Sequence, residues 1–261
     1  MKLKSLAAAL ALTLASASTA AAQLRIDVNL PANRLQVLDG DSVIRTYRVS
    51  VGMPGHDTPD GDFTIGRAEW NPSWRPPEGR EWSREARFTP PGPNNPMGRV
   101  KLFFAPLYYI HGTPDTANIG QAASHGCIRM RNRDVIELAR LLHRHADPTV
   151  APAEIDGILR RSGTTRWSTF RAPVPLTLRY EPIVIEGDEL RIYPDVYERS
   201  RVHTEGVIQA LLAAGYESGS IDRQQVRDVL RRAAGQAEGA YTVKLADAFR
   251  GLRRRNDLAS N

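Results

Sequence analysis

The chain has 261 residues, 41% hydrophobic and 25% charged, enough apolar material for one sizeable domain with or without an appendage, which excludes wholesale disorder. Its formal charge of +6 suits an anionic partner such as nucleic acid, an acidic membrane surface or an acidic polymer, although a solvated basic surface gives the same count. No dense run of Lys and Arg interleaved with aromatics is present, so nucleic acid is not an expected partner.

Lys2 and Lys4 open the chain, Leu6 to Leu14 form a short apolar stretch, and Ala20-Ala21-Ala22 follows as a small-residue cleavage site. This is the layout of a secretory signal peptide over residues 1–22, too short in its apolar part to span a bilayer. No Cys follows the stretch, so a lipid-anchored form is not expected, and the mature chain should start near Gln23 in an extracytoplasmic compartment, the periplasm. Exported chains usually hold Cys in disulfide pairs. Here Cys127 is the single Cys, so its retention calls either for a reactive role or for the bland one of a small buried hydrophobe.

Leu24 to Val51 reads as β-hairpin material. Leu24–Leu30 and Arg34–Leu38 alternate apolar and polar, and Asp39-Gly40-Asp41 marks a turn before Ser42–Val49. A turn-rich segment, Pro54 to Asp62, leads to a short strand at Phe63-Thr64-Ile65. Residues 66–99 hold seven prolines and three tryptophans (Trp70, Trp74, Trp82), so a long loop is expected there, either a wall of a binding site or surface irregularity packed by Trp. Val100–Ile110 is strand interrupted at Pro106, and a loop from Pro114 to Ser124 precedes His125-Gly126-Cys127. A helix over Val135–His143 puts Val135, Leu138, Ala139 and Leu142 on one face, with Asn132 or Asp134 as its cap. Ala153–Arg161 reads as helix, and Val174–Tyr180 and Ile183–Tyr193 as strand, with a turn at Gly187-Asp188. Two or three amphipathic helices follow Thr204, and Arg253-Arg254-Arg255 reads as a frayed tail. His143, His145 and His203 are expected to face solvent. The expected organisation is mainly β, with a leader (1–22), a principal domain (23–182, core 24–143) and a strand-plus-helix extension (183–261).

The chemistry concentrates at Ser124-His125-Gly126-Cys127, with His111 sixteen positions before Cys127. A thiolate is the nucleophile, and a nearby imidazole can take the thiol proton and later return it to a leaving amine. His125 is two residues away and His111 closes a different strand, so both are candidates. Gly126 lets backbone N–H groups approach a substrate carbonyl. One Cys with two His also suggests zinc, with His56 as a third histidine ligand, but the spacing matches no common zinc pattern. A serine hydrolase fares worse, because Ser124 lies outside any G-x-S-x-G elbow.

His111-Gly112-Thr113, Ile119-Gly120 and Ser124-His125-Gly126-Cys127-Ile128-Arg129-Met130 together resemble the catalytic signature of YkuD-type L,D-transpeptidases. Thr58-Pro59-Asp60-Gly61-Asp62-Phe63-Thr64-Ile65, Asn71-Pro72-Ser73-Trp74 and Gly92-Pro93-Asn94-Asn95-Pro96-Met97-Gly98 resemble further motifs of that family, so the likeness covers roughly Leu24 to His143. The resemblance implies a β-sandwich or barrel-like catalytic domain with a helix after the catalytic Cys and no cofactor or metal. It makes Cys127 the nucleophile, His111 the base and acid, the Gly112 carbonyl the group that orients the imidazole, and His125 with Gly126 the shapers of an oxyanion site. Arg129 would hold a substrate carboxylate, unless it is taken up in an ion pair with Asp134, and Ser124, Trp74 and Asn132 would also line the substrate. The implied substrate is a peptidoglycan stem peptide. Cys127 would displace D-Ala and an amine would resolve the thioester, giving a 3-3 cross-link. Water as acceptor would make a carboxypeptidase, and a lysine of an outer-membrane protein would make a tethering enzyme. Carbapenem-type β-lactams would acylate the thiol. A hydrolase releasing wall-attached protein and a non-catalytic peptidoglycan-binding protein are the remaining readings.

Overall fold

The computed structural model describes residues 24–146, 151–236 and 239–255, so the leader expected over residues 1–22 lies outside the described residues. The principal sheet has eight strands. In chain order its elements and their neighbours are β1 (Leu24–Asn29), β2 (Arg34–Asp39), β3 (Ser42–Arg48), a short β4 (Val51–Gly52), β5 (Gly61–Trp70), β6 (Val100–Ala105), β7 (Tyr108–Thr113), a short β8 (Ala122–Ser124) and β9 (Ile128–Arg131). Helices α1 (Asn132–Ala146) and α2 (Pro152–Arg160) precede the long β10 (Arg166–Arg179). The spatial order is β3-β2-β1-β10-β5-β6-β7-β9, while β4 and β8 pair separately and in parallel.

Period-two alternation explains which faces are inside. Leu24, Ile26 and Val28 of β1, Leu35 and Val37 of β2, and Val100 and Leu102 of β6 all point into one core. The sheet closes on itself. Ser50, just beyond the edge strand β3, exchanges both backbone hydrogen bonds with Arg129 of the other edge strand, β9, each at 2.9 Å. The result is the mainly β, barrel-like body that the motifs implied.

Three expectations change. The strand expected at Phe63–Ile65 extends to Trp70, because Ala68 and Trp70 bury themselves in the core and carry the ladder with them, so the irregular stretch begins at Asn71. His143 is not solvent-facing. It sits four residues after Ala139 on the buried face of α1, with Nε2 2.8 Å from Ser168 Oγ and its ring against Trp70 and Phe170. Arg253–Arg255 is tied down rather than frayed, with Arg253 paired to Glu217 at 3.1 Å and the Arg255 N–H donating to Gly215 O at 2.9 Å.

A second cluster of apolar side chains, among them Leu190, Val207, Leu211, Val226, Val229 and Phe249, lies after the long strand. It is built from β11 (Ile183–Glu186), β12 (Glu189–Ile192), α3 (Thr204–Ala213), α4 (Arg223–Ala234), β13 (Tyr241–Lys244) and α5 (Leu245–Ala248). The β11–β12 hairpin turns at Gly187, whose φ of 63° suits glycine, and β13 pairs with β12 through Leu190 and Val243. Val196 and Tyr197 return to the first core. No helix among the described residues is long and apolar enough to cross a membrane.

Leu102, fully buried in the middle of β6, reports on the principal core. Leu102→Ala should cost about 2–5 kcal/mol, read as a lower urea midpoint at unchanged slope. A shift under about 0.5 kcal/mol would mean that this face is not the packed interior.

Candidate active site

Strand register alone assembles the first part of the site. Glu69 on β5 faces Lys101 on β6, Lys101 faces His111 on β7, and His111 faces Arg129 on β9. Directly paired residues share a face, so four polar groups form one row across the sheet. Glu69 and Lys101 form a buried ion pair at 2.9 Å. His111 is 1% exposed, with Nδ1 2.7 Å from the Gly112 carbonyl. A carbonyl only accepts, so Nδ1 carries the hydrogen and Nε2 is left as the acceptor. Burial pushes the His111 pKa down to about 3. The Arg129 and Lys101 charges add to that, and the Gly112 hydrogen bond opposes it. The imidazole is therefore a neutral base at physiological pH.

Cys127 is half-buried, one residue before β9. Its thiol donates to the Leu107 carbonyl at 3.6 Å, not to His111. Leu107, at the tip of the β6–β7 hairpin, has a φ of 65°, unusual for a branched side chain. Burial pushes the thiol pKa up, while a hydrogen bond with the Tyr109 backbone and the charges of Arg129 and Lys101 oppose the rise.

The turn that presents Cys127 is held from inside. Ser124 is fully buried, its Oγ accepting from the Gly126 N–H at 3.0 Å and donating to the Cys127 carbonyl at 2.5 Å. It forms the turn rather than lining a substrate. Gly126 has a φ of 107°, and a Cβ there would lie 2.8 Å from the Tyr108 ring. Its N–H is committed to Ser124, so its part in the site is conformational and it does not donate to an oxyanion. Thr58 Oγ1 accepts from the Gly52 N–H at 2.8 Å and donates to the Gly126 carbonyl at 2.9 Å, which clamps the turn to the chain beyond β4. The motif around Thr58 was visible in the sequence, but the residue's contact with the turn was not.

His125 carries the ceiling of the site. Its ring stacks on Trp82 at 4.0 Å and 17°, and meets His56 edge-on at 4.7 Å. Burial, then His56 and Arg129, lower its pKa. Trp82 stands in a short 3-10 turn, Glu81–Ser83, within the proline-rich loop, where Ser83 Oγ donates to the Pro77 carbonyl at 2.6 Å. Trp74, expected at the substrate, exchanges backbone hydrogen bonds with Thr89 at 2.8 and 2.9 Å and braces the loop. The loop residue over the site is thus Trp82. In the sequence Trp74 and Trp82 share one proline-rich stretch with no spacing by which to choose between them.

Asn132 is likewise committed elsewhere. Its Oδ1 accepts from the Arg99 N–H at 2.9 Å, and a Cβ on Gly98 or Gly112 would lie 2.3 Å from that oxygen. It locks the end of the loop to the strand bearing His111. Arg129 has no ion pair among the described residues, since Asp134 pairs with Arg131 and Arg133 instead. Its guanidinium donates to the Ala123 carbonyl at 3.3 Å and keeps further donors for a ligand. Among the described residues, no three His, Cys, Asp or Glu side chains converge as metal ligands.

A family model described as the L,D-transpeptidase catalytic domain, YkuD, matches residues 23–165. The chain is 33% identical over 129 residues to a Bacillus licheniformis protein carrying the L,D-transpeptidase name YkuD, covering 49% of this chain and 66% of that one. It is 36% identical over 118 residues to the probable L,D-transpeptidase ErfK/SrfK of Escherichia coli, covering 42% of this chain and 38% of that one. Identity to the Salmonella typhimurium protein of the same name is 30% over 190 residues, covering 63% of this chain and 60% of that one. The chain thus spans between 38% and 66% of the length of these relatives.

A histidine held neutral by burial destabilises the fold in acid. The unfolded chain takes up the proton near pH 6.5 and the folded chain only near 3, so stability is lost as pH falls through that window. Urea unfolding at pH 7 and pH 5 should show a loss of about 2 kcal/mol that His111→Gln removes, at about 1.4 kcal/mol per pH unit below 6.5. An identical acid sensitivity in the two proteins would show that His111 is not held neutral.

Proposed function

The chain belongs to the YkuD family of L,D-transpeptidase catalytic domains, and from that premise we propose that it is an exported enzyme that cross-links peptidoglycan stems through Cys127. The observation that supports this reading is a neutral buried His111 on β7 and a half-buried Cys127 thiol at the start of the neighbouring β9, beside Arg129, which has no ion pair among the described residues.

Cys127 turns from the Leu107 carbonyl toward His111, gives its proton to Nε2 and attacks the carbonyl of the third stem residue. A hydrogen bond absent from the ligand-free site tightens as substrate settles. The tetrahedral intermediate collapses, His111 protonates the departing D-Ala amine, and a thioester remains on Cys127. An acceptor amine then attacks the thioester, loses its proton to His111, and releases the thiol with a new amide bond. Arg129 holds a stem carboxylate through its fork of donors. Trp82 over His125 keeps water from the thioester, which favours an amine over hydrolysis. The same thiol is the acylation site for carbapenem-type β-lactams, and the site of action is the periplasm. An outer-membrane protein lysine is an alternative acceptor at the same thioester.

The test incubates the mature protein with disaccharide tetrapeptides and follows products by mass spectrometry. Release of D-Ala with a 3-3 dimer, lost at least 1,000-fold in Cys127→Ala, is expected. D-Ala release without a dimer would make the protein a carboxypeptidase. No difference between the wild type and Cys127→Ala would leave a non-catalytic binding protein.

A further inference from the structure

The face of the sheet that bears His111 does not end at the active site. One step along each strand pair from the Glu69–Lys101–His111 row runs a second row on the same face, in which Arg67 faces Phe103 and Phe103 faces Tyr109. Tyr109 stands two residues after Leu107, whose carbonyl accepts from the Cys127 thiol, so this row starts beside the nucleophile. From there the rings run outward without a break. Tyr109 meets Phe103 at 4.9 Å, and Phe103 meets Trp167 of β10 at 5.1 Å. Trp167 is 53% exposed. The Arg67 guanidinium lies 4.5 Å from the Phe103 ring and 5.4 Å from the Trp167 ring, in cation–π contact with both. Arg67 has no ion pair among the described residues.

From these contacts we infer that Trp167, backed by Phe103 and Arg67, is a sugar-binding platform that receives the glycan residue bearing the donor stem. The inference rests on the transpeptidase reading for the identity of the stem. Its ruler is the ring chain. The two ring-to-ring steps, 4.9 and 5.1 Å, put the indole at most about 10 Å from the Tyr109 ring. Three stem residues lie on the sugar side of, and including, the attacked carbonyl. They span roughly 10–11 Å at 3.3–3.6 Å each, and the side-chain glutamyl link and the ether to the sugar add a few ångströms more. An extended stem is thus long enough to carry its sugar from the nucleophile to the indole. A pyranose presents C–H groups on one face, and these pack on a flat ring, while Arg67 matches a carboxylate that the stem carries past it.

Binding is best measured on Cys127→Ala protein, which cannot turn over its ligand, by titration calorimetry with disaccharide tetrapeptide and with the free tetrapeptide. The disaccharide form should bind about 5–10-fold tighter. Adding Trp167→Ala should bring that ratio to about one, and adding Trp167→Phe should restore most of it. Retention of the native circular dichroism spectrum by both variants separates lost contact from lost fold. Equal affinity for the two ligands before Trp167 is changed, or a ratio unmoved by Trp167→Ala, overturns the platform. Neither result bears on the chemistry, because release of D-Ala from free tetrapeptide by the wild-type enzyme tests that separately.

Discussion

The register of β7 between β6 and β9 is the constraint on which the site depends. Side chains alternate faces along a strand, so a slip of one residue would turn His111 into the core and bring Ile110 to the surface. Three features hold the register against such a slip. Ile110, Ile128 and Met130 are fully buried on the opposite face. Gly112, at the end of β7, is packed so closely against Asn132 that no side chain fits. The two hydrogen bonds between Ser50 and Arg129 join β9 to the chain beyond β3, so β9 has neighbours on both sides. The catalytic geometry is in this sense a by-product of closing the sheet.

Closure also sets the electrostatics. A row of Lys101, His111 and Arg129 on an open sheet would repel itself weakly in water. In a buried row the imidazole answers to its neighbours and stays neutral, while Glu69 balances Lys101 and Arg129 is left with no ion pair among the described residues. The same burial that keeps His111 unprotonated raises the Cys127 thiol, and the two cations work against that rise. Resting thiol and ready base are thus two consequences of one desolvated environment.

Period-two alternation was enough to read β1, β2 and β3, and ordered motifs marked Cys127 and His111. What the sequence did not reveal shares a cause, which is that partners far apart in the chain decide it. Ser124 and Asn132 have the polar side chains of ligand contacts, yet each is occupied by backbone groups of a neighbouring turn. Trp82 and Trp74 are indistinguishable by composition, and only the fold-back of the proline-rich loop puts the first on His125. His143 reads as a polar residue near a helix end, but the four-residue step from Ala139 carries it into the core. β13 is four residues long, too short for its alternation to stand out from its surroundings.

The smaller C-terminal cluster is joined to the site by the segment between them. The Asp195 carboxylate accepts from the backbone N–H groups of Arg199 and Arg201 and from the Tyr180 hydroxyl, which fixes a turn containing Glu198 and Ser200 at positive φ. From that turn Tyr197 Oη accepts the Thr58 N–H at 3.1 Å, and Arg199 pairs with Asp60 at 2.8 Å. Thr58 in turn holds the Gly126 carbonyl. A continuous chain of hydrogen bonds therefore runs from Asp195 through Tyr180, Tyr197 and Thr58 to the residue before the nucleophile. The segment 193–201 thus braces the Cys127 turn, and β12 before it and α3 after it both belong to the second core, which holds the brace at its two ends.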